Sequence, residues 1–202
     1  KDRGDIKPGE TVLVLGAAGG VGLASIELAK AYGARVVAAV SSDEKAKVAK
    51  DAGADETVVY PRAPFDKDQS KALAGAFKEA VGANGADIVV DIVGGDYSEP
   101  ALRSIAWEGR FLVIGFPAGI AKMPLNLTLL KSCDIRGVFW GAFAAREPQR
   151  NAQNIAELFE MWKDGKIAPQ VSETFNLDDA ARAIEKLENR QAIGKLVVVM
   201  DK

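Results

Sequence analysis

The sequence predicts an α/β fold in which a doubly wound parallel sheet of about six strands carries helices on both faces. The first observation is the stretch TVLVLGAAGGVG at residues 11–22, where an apolar run passes directly into glycines and then into a helical pattern. The second is the alternation of apolar runs with amphipathic segments along the following residues, which is typical of parallel strands joined by helices. The apolar runs show little polar alternation, as expected of central strands that helices cover on both faces.

The predicted elements alternate between strand and helix along the chain. A first strand at residues 11–15 leads into a helix at 20–32, which Gly33 ends as a C-cap glycine would. Ser41 and Glu44 resemble a capping box, which predicts a helix that reaches residue 51. Further helices are predicted at residues 70–81 and 97–106. The remaining strands of the sheet are predicted at residues 35–40, 56–60, 86–93, 110–114 and 133–140.

The pattern changes after the sixth predicted strand. A helix, a strand, a second helix and a last strand are predicted at residues 148–164, 171–175, 178–188 and 195–200. These elements lie beyond the six strands that a dinucleotide-binding (Rossmann) fold needs. We therefore predict a Rossmann domain at residues 1–145 and a separate C-terminal segment at residues 146–202.

The glycines that follow the first strand indicate a phosphate-binding turn, because they allow a tight bend and a close approach of backbone N–H groups. The helix beyond them begins with unpaired N–H groups and a partial positive charge. Four residues are predicted to hold a pyrophosphate through their backbone: Ala18, Gly19, Gly20 and Val21. The glycine frame that ends at Gly22 has Ala17 in place of its first glycine. The alternative is a glycine-rich turn that only packs a helix tightly.

Composition excludes several classes of function. The formal net charge is -2 and the chain has no long basic run, so nucleic acid is not the expected partner. No apolar run approaches the roughly 20 residues that span a bilayer, so no membrane partner is expected. The single cysteine, Cys133, cannot form an internal disulfide, and a chain without histidine offers no Cys/His metal site. A reducing compartment, the cytoplasm, is therefore expected.

Residues 4–22, GDIKPGETVLVLGAAGGVG, resemble the medium-chain dehydrogenase/reductase superfamily, in particular its zinc-independent quinone oxidoreductase branch, related to zeta-crystallin. Further matches are DIVVDIVGG, GRFLVIGFPAG, NLTLLKSCDIRGVFWGAF and DDAARAIEKLENRQAIGKLVVV. In that family a catalytic domain precedes the cofactor domain, and the chain returns to it after the sixth strand. The resemblance implies that this chain lacks the leading domain and that residues 146–202 are the returning segment.

The residues at the end of the second predicted strand distinguish a site for NAD from a site for NADP. A site for NAD usually has a carboxylate there, whereas this chain has Ser41 and Ser42. The resemblance implies that Ser42 and Lys45 bind the 2′-phosphate of NADP(H), with Tyr60 as a third contact. The alternative is that the serines only cap a helix and that Lys45 is a solvated surface charge. The acidic residues at positions 43 and 44 favour this alternative, because they would repel phosphate.

Ligands of open α/β sheets bind beyond the carboxyl ends of the strands. The resemblance implies that six residues at the ends of the fourth, fifth and sixth strands face the nicotinamide: Val93, Gly94, Gly115, Phe116, Phe139 and Trp140. The alternatives are ordinary strand-ending glycines and aromatic residues of the core. Asp91 interrupts an apolar strand, so we expect it to be structural and to bind backbone amides of a nearby turn. No catalytic residue is predicted.

The resemblance implies an NADPH-dependent reductase that transfers a hydride from the nicotinamide to a quinone or an α,β-unsaturated carbonyl compound. Two alternatives are an enoyl reductase that acts on enoyl thioesters and a non-catalytic module that binds NADP(H). We also expect a homodimer that forms by antiparallel pairing of the sixth strand, residues 133–140. This strand lies at a sheet edge, where unpaired backbone groups can bind a second copy around a two-fold axis.

Overall fold

A sheet of six parallel strands lies at the centre of the computed structural model, which describes residues 1–189 and 191–200. In chain order the strands are β1 (Thr11–Leu15), β2 (Arg35–Val40), β3 (Glu56–Val59), β4 (Ala86–Asp91), β5 (Ile105–Val113) and β6 (Asp134–Gly137). They are arranged in the order β3-β2-β1-β4-β5-β6. The predicted doubly wound sheet of six strands is therefore confirmed.

Helices cover both faces of this sheet, as predicted. The helices are α1 (Gly20–Ala31), α2 (Asp43–Asp51), α3 (Lys67–Val81), α4 (Ser98–Arg103), α5 (Asn126–Lys131), α6 (Trp140–Arg146), α7 (Pro148–Lys163) and α8 (Ala180–Glu188). On one face α1 and α2 contribute Ile26 and Ala49 to an apolar cluster with Val14 of β1. On the other face Phe77 of α3 packs with Leu13 of the same strand. Among the described residues, no helix is both long and apolar enough to cross a bilayer.

Helices α2 and α3 differ from the sequence analysis at their N-terminal ends. Ser42, and not Ser41, is the N-cap of α2, and its Oγ accepts a hydrogen bond from the Lys45 N–H at 3.3 Å. Helix α3 begins three residues before position 70, because Asp66 and Gln69 form a reciprocal capping box. The Asp66 carboxylate accepts from the Gln69 N–H at 2.8 Å, and the Gln69 side chain accepts from the Asp66 N–H at 3.0 Å.

The sixth strand is shorter than the predicted residues 133–140. It ends at Gly137, so Phe139 and Trp140 do not belong to it, and Trp140 is the first residue of α6. The physical reason is the length of the neighbouring strand. The Val138 N–H still donates to the Val113 carbonyl at 2.9 Å, but β5 ends at Val113 and offers no further partners. The prediction of a strand that includes Phe139 and Trp140 is therefore wrong.

The C-terminal elements form a second, small sheet. Strands β7 (Val171–Asn176) and β8 (Lys195–Val199) pair in parallel, and α8 connects them. Gly194, just before β8, contacts the glycine-rich loop through a hydrogen bond from its N–H to the Ala18 carbonyl at 2.9 Å. Residue 190 and the last two residues of the predicted segment 146–202 lie outside the described residues. The division of the chain at residue 145 stays a prediction.

Gly22 lies where α1 approaches the preceding loop most closely. A Cβ at this position would overlap the Gly16 carbonyl oxygen and the Ala17 backbone. We predict that Gly22→Ala lowers the free energy of unfolding, measured by urea denaturation, by about 1–3 kcal/mol, because backbone atoms cannot move aside. Gly75→Ala is the matched control, since Gly75 lies in α3 with no atom within 4 Å of an added Cβ.

The control substitution should raise the free energy of unfolding by about 0.5–1 kcal/mol, because alanine loses less backbone entropy than glycine when a helix forms. Changes of the same sign in the two variants would contradict this account of Gly22.

Candidate functional site

The loop between β1 and α1 bends tightly at its first residue. Gly16 has a φ of +69°, and a Cβ there would come within 2.9 Å of the Val93 side chain. The Gly19 N–H donates to the Gly16 carbonyl at 3.1 Å, and the Ala17 N–H donates to the Ala39 carbonyl at 3.1 Å. Backbone hydrogen bonds therefore fix the shape of the loop, and its glycines leave space for other atoms to come close to its backbone.

The first turn of α1 contains N–H groups that the helix does not use. The first helical hydrogen bond runs from the Leu23 N–H to the Gly19 carbonyl at 2.8 Å, so the N–H groups of Gly20, Val21 and Gly22 precede it. Within the described part of the chain, no side chain caps this turn and no acidic residue lies in it. Unpaired N–H groups and the positive end of the helix dipole together attract an anion.

Of the four predicted pyrophosphate-binding residues, two lie in the first turn of α1 and two lie in the loop before it. Gly20 and Val21 lie in the first turn of α1, and the Val21 side chain is exposed. Gly19 is the N-cap, but its own N–H is already donated to Gly16. Ala18 is buried, and its carbonyl accepts the hydrogen bond from Gly194. The N–H groups of the first helical turn remain as donors for an anion.

Lys195 is a cation beside this turn that the sequence analysis did not identify. Its Nζ lies 3.7 Å from the position that a Cβ on Gly20 would take, and the Gly194 carbonyl oxygen lies 3.5 Å from the same point. The contact arises because Gly194 pairs with Gly19 across the loop. Residues so far apart in sequence are brought together only by the tertiary structure, so no local motif indicates the contact.

The residues predicted to bind the 2′-phosphate lie at the adjoining ends of β2 and β3. The Tyr60 N–H, just after β3, donates to the Val40 carbonyl at the end of β2, at 2.9 Å. Ser42 caps α2, as the alternative interpretation proposed, and the Lys45 ammonium donates to the Ser41 hydroxyl at 3.3 Å. A hydroxyl that accepts one hydrogen bond still has its own proton to donate. Capping therefore leaves Ser42 able to bind an anion.

Tyr60 is buried beside the bend of the glycine-rich loop. Its ring centroid lies 4.7 Å from that of Tyr97. Burial, together with smaller effects of the nearby Tyr97 and Asp91, raises the pKa of the Tyr60 hydroxyl to about 12, whereas a backbone hydrogen bond with Gly16 acts in the opposite direction. Tyr60 is therefore protonated at neutral pH, and its neutral hydroxyl has a proton to donate.

Two loops beyond the ends of β4 and β5 are joined into one unit by their backbones. The Gly95 N–H donates to the Gly119 carbonyl at 2.7 Å, and the Ala118 N–H donates to the Val93 carbonyl at 3.0 Å. Gly94 has a φ of +72°, and a Cβ there would come within 2.7 Å of the Gly119 carbonyl oxygen. Val93 and Gly94, two of the predicted nicotinamide-facing residues, are thus held against the second loop.

Of the other four predicted nicotinamide-facing residues, three have exposed side chains and Gly115 is partly buried. Gly115 donates its N–H to the Asp91 carbonyl at 3.3 Å, and the Phe116 side chain beside it is exposed. Phe139 and Trp140 are 79% and 68% exposed, so the alternative that they are core aromatics is wrong. The Trp140 indole N–H donates to the Asn151 side chain of α7 at 3.2 Å.

Asp91 has the structural partners that the sequence analysis expected. Its Oδ1 accepts hydrogen bonds from the N–H groups of Val93 at 2.9 Å and Gly94 at 2.8 Å. Its Oδ2 accepts from the Ser98 hydroxyl at 2.5 Å. The prediction that Asp91 binds backbone amides of a nearby turn is confirmed.

A cleft of about 510 Å³ opens on the face of the sheet that α1 covers, and not at the glycine-rich loop. Its floor includes Val12, Ile88 and Leu112 from three strands, and α7 lies at its rim with Arg150. Of the predicted site residues, only Phe139 and Trp140 line it. The cleft and the loop are therefore two separate features.

A family model described as zinc-binding dehydrogenase matches residues 20–160. The chain is 38% identical to the quinone oxidoreductase-like protein 2 of Bos taurus over 97% of its length and 54% of that protein. It is 31% identical to an acryloyl-coenzyme A reductase of Metallosphaera sedula over 97% of its length and 52% of that protein. The chain thus spans about half the length of the curated relatives it matches.

A solved mycobacterial structure, a complex with NADPH, is 33% identical to this chain, with a TM-score of 0.84. The similarity covers 96% of this chain and 57% of the mycobacterial chain. The covered part contains both the sheet and the C-terminal elements, since it is nearly the whole chain.

The zinc ion in the family description does not fit the residues of this chain. The sequence has no histidine, and Cys133 is its single cysteine. Cys133 is buried, and burial raises the pKa of its thiol, whereas a zinc ligand must be a thiolate. Residues 1–189 and 191–200 contain no group of three or more His, Cys, Asp or Glu side chains that could hold a metal ion.

Proposed function

Because the chain belongs to the zinc-binding dehydrogenase family of the medium-chain dehydrogenase/reductase superfamily, we propose that it is the NADP(H)-binding part of an oxidoreductase. The observation that carries the proposal is the first turn of α1, where unused N–H groups meet the Lys195 ammonium and no described side chain caps the helix. The mycobacterial structure solved with NADPH supports this cofactor. A turn of this kind fits a pyrophosphate, which carries negative charge and several acceptor oxygens.

Three parts of the site would each bind a different part of the cofactor. Ala18, Gly20 and Val21, together with Lys195, would hold the pyrophosphate, and the adjacent Gly19, whose N–H is donated to Gly16, would shape the loop. The 2′-phosphate would lie at the ends of β2 and β3, near Ser42, Lys45 and Tyr60. The joined loops after β4 and β5 would position the nicotinamide, which when bound supplies the hydride. The protein would contribute position and electrostatics.

The proposed reaction is hydride transfer to a quinone or an α,β-unsaturated carbonyl compound. The bovine relative, named as quinone oxidoreductase-like, supports a quinone. The acryloyl-coenzyme A reductase relative supports the second candidate, reduction of an enoyl thioester. A reaction without zinc is supported by the ligands that this chain offers, since it has no histidine and a single cysteine. The cytoplasmic location expected from the single cysteine also remains a proposal.

NADPH should bind more tightly than NADH, because Lys45 and Ser42 stand where an NAD site has a carboxylate. We predict that Lys45→Ala weakens NADPH binding by about 1–2 kcal/mol, the scale of a charge-assisted hydrogen bond, and leaves NADH binding nearly unchanged. Lys195→Ala should weaken both cofactors alike, since both contain the pyrophosphate. Fluorescence titration of each cofactor measures these affinities.

Lys47→Ala is the matched control for these titrations, because Lys47 lies on the same helix as Lys45 and pairs with Asp51 at the surface. It should leave both affinities unchanged. NADH binding as tight as NADPH binding in the unsubstituted chain would refute the assignment of the 2′-phosphate site.

The chain alone should bind the cofactor but show little reductase activity. The family resemblance places the substrate between two domains, and this chain spans about half the length of its relatives. The measurement is oxidation of NADPH in the presence of benzoquinone, corrected for direct chemical reduction. Saturable turnover at rates typical of enzymes would show that this half of the relatives' length is sufficient for catalysis.

We also propose a homodimer that forms through the edge of β6, residues Asp134–Gly137. The Val138 N–H points to β5, and backbone groups alternate along a strand, so those of Ile135 and Gly137 point away from the sheet. Leu129 and Leu130 of α5, the helix that precedes β6 in the chain, are exposed. The Arg3 side chain donates to the Gly137 carbonyl at 3.1 Å, which narrows the available edge.

Ile135→Pro tests the dimer, because proline removes an N–H donor from the free edge. We expect light scattering at micromolar concentration to show a dimer for the unsubstituted chain and a monomer for Ile135→Pro. Ile135→Val keeps the N–H group and is the matched control. A monomeric unsubstituted chain would refute the dimer. A dimer that Ile135→Pro leaves intact would show that the interface lies elsewhere.

A further inference from the structure

A buried carboxylate controls the turn that follows β4. Asp91 is 2% exposed, and both of its carboxylate oxygens are used. Oδ1 accepts from two successive backbone N–H groups, those of Val93 and Gly94, which fixes the direction of the chain as it leaves the strand. Oδ2 accepts from Ser98, which begins α4. One side chain thus holds together the end of a strand, a turn and the start of a helix.

The backbone of Asp91 extends this link to the neighbouring strand. Its carbonyl oxygen accepts from the N–H groups of Ile114 at 2.9 Å and Gly115 at 3.3 Å, just beyond β5. The hydrogen bond from Gly95 to Gly119 then closes the two loops on each other. Asp91 is therefore hydrogen-bonded to both of the loops that the proposed function assigns to the nicotinamide.

For the stability of the strand alone, an apolar residue at position 91 would be more favourable than a buried carboxylate. Burial of a carboxylate costs several kcal/mol unless hydrogen bonds replace its water. The ion pairs among the described residues do not include Asp91, so backbone amides and a hydroxyl provide the compensation. In return, the turn is held in a conformation that places Gly94 at a φ of +72°, in close contact with Gly119.

We propose that Asp91 is a positioning residue for the nicotinamide half of the cofactor, an inference that rests on the proposed function. Asp91 acts through the Val93 and Gly94 backbone, and its side-chain hydrogen bonds among the described residues go to the turn and to Ser98 and not to α1 or α2. Loss of its carboxylate releases the part-buried N–H of Val93, the buried N–H of Gly94 and the Ser98 hydroxyl, so the turn loses its fixed shape. Ligand contacts with this turn are then weakened, whereas contacts at the phosphate end persist.

The experiment compares two ligands by isothermal titration calorimetry on the full 202-residue chain. NADPH reaches both ends of the proposed site. Adenosine 2′,5′-bisphosphate contains the 2′-phosphate and one phosphate of the pyrophosphate but no nicotinamide. We expect Asp91→Ala to weaken NADPH binding about tenfold or more, as expected when buried hydrogen bonds are lost, and to change bisphosphate binding less than about twofold.

Two variants separate geometry from other effects. Asp91→Asn keeps an acceptor for the two N–H groups and should bind both ligands within about threefold of the unsubstituted chain. Asp87→Ala is the matched control, because Asp87 lies in the same strand and accepts from the Thr11 N–H at 2.8 Å, away from the loops. It should leave the ratio of the two affinities unchanged.

Equal weakening of both ligands by Asp91→Ala, or unchanged NADPH binding, overturns the positioning role. Weakening by Asp91→Asn as large as that by Asp91→Ala also overturns it, because the hydrogen-bonded shape would then not be the cause. If Asp91→Ala does not fold, Ser98→Ala replaces it, with an expected loss of about threefold for NADPH alone. An unchanged ratio in Ser98→Ala overturns the inference.

The unsubstituted chain distinguishes this inference from the function on which it rests. If it binds neither ligand, the proposed function fails and the inference fails with it. If it binds the bisphosphate as tightly as NADPH, the phosphate site stands, but the loops contribute nothing and the role of Asp91 is refuted.

Discussion

The close packing of backbone against backbone at the glycine-rich loop is the constraint on which the rest of the structure depends. Gly22 allows α1 to contact the loop, and Gly16, at positive φ, allows the loop to turn beside Val93. A side chain at either position would push α1 or the end of β4 away from β1. Because β1 lies between β2 and β4 in the sheet, such a shift would separate the two ends of the proposed site.

Local electrostatics also follow from this geometry. The net charge of the chain is -2, so no general attraction for phosphate exists. The first turn of α2 contains Asp43 and Glu44, which satisfy the positive end of its own dipole. The first turn of α1 contains no acidic residue among those described, and the tertiary fold adds the Lys195 ammonium there. A pyrophosphate is therefore favoured at α1, and anion binding beside α2 depends on Lys45.

The alternation of strands and helices could be predicted because each strand and its connecting helix have a local pattern. Errors arose where contacts between elements decide the outcome. Strand β5 begins at Ile105, which pairs with Ala86 of β4. The next residues bulge out of this pairing, with Glu108 at a φ of 57°, and β5 pairs with β4 again from Arg110. The composition of these residues is that of a turn, so the sequence did not indicate the early start of the strand. The contact of Lys195 with the loop depends on the path of the whole C-terminal segment. The Asp66 and Gln69 capping box was present in the sequence and could have been found.

The two ends of the proposed site differ in how complete they are within this chain. At the phosphate end Ala18 and Tyr60 are buried, and hydrogen bonds within the chain fix the loop. Beyond β5 and β6, by contrast, Phe116, Phe139 and Trp140 expose large apolar surfaces. Exposed aromatic surface of this kind usually marks a place where another part of a protein or a ligand packs. Under the proposed function, cofactor affinity would therefore reside mainly in this chain, whereas the wall of the substrate site would come from outside it.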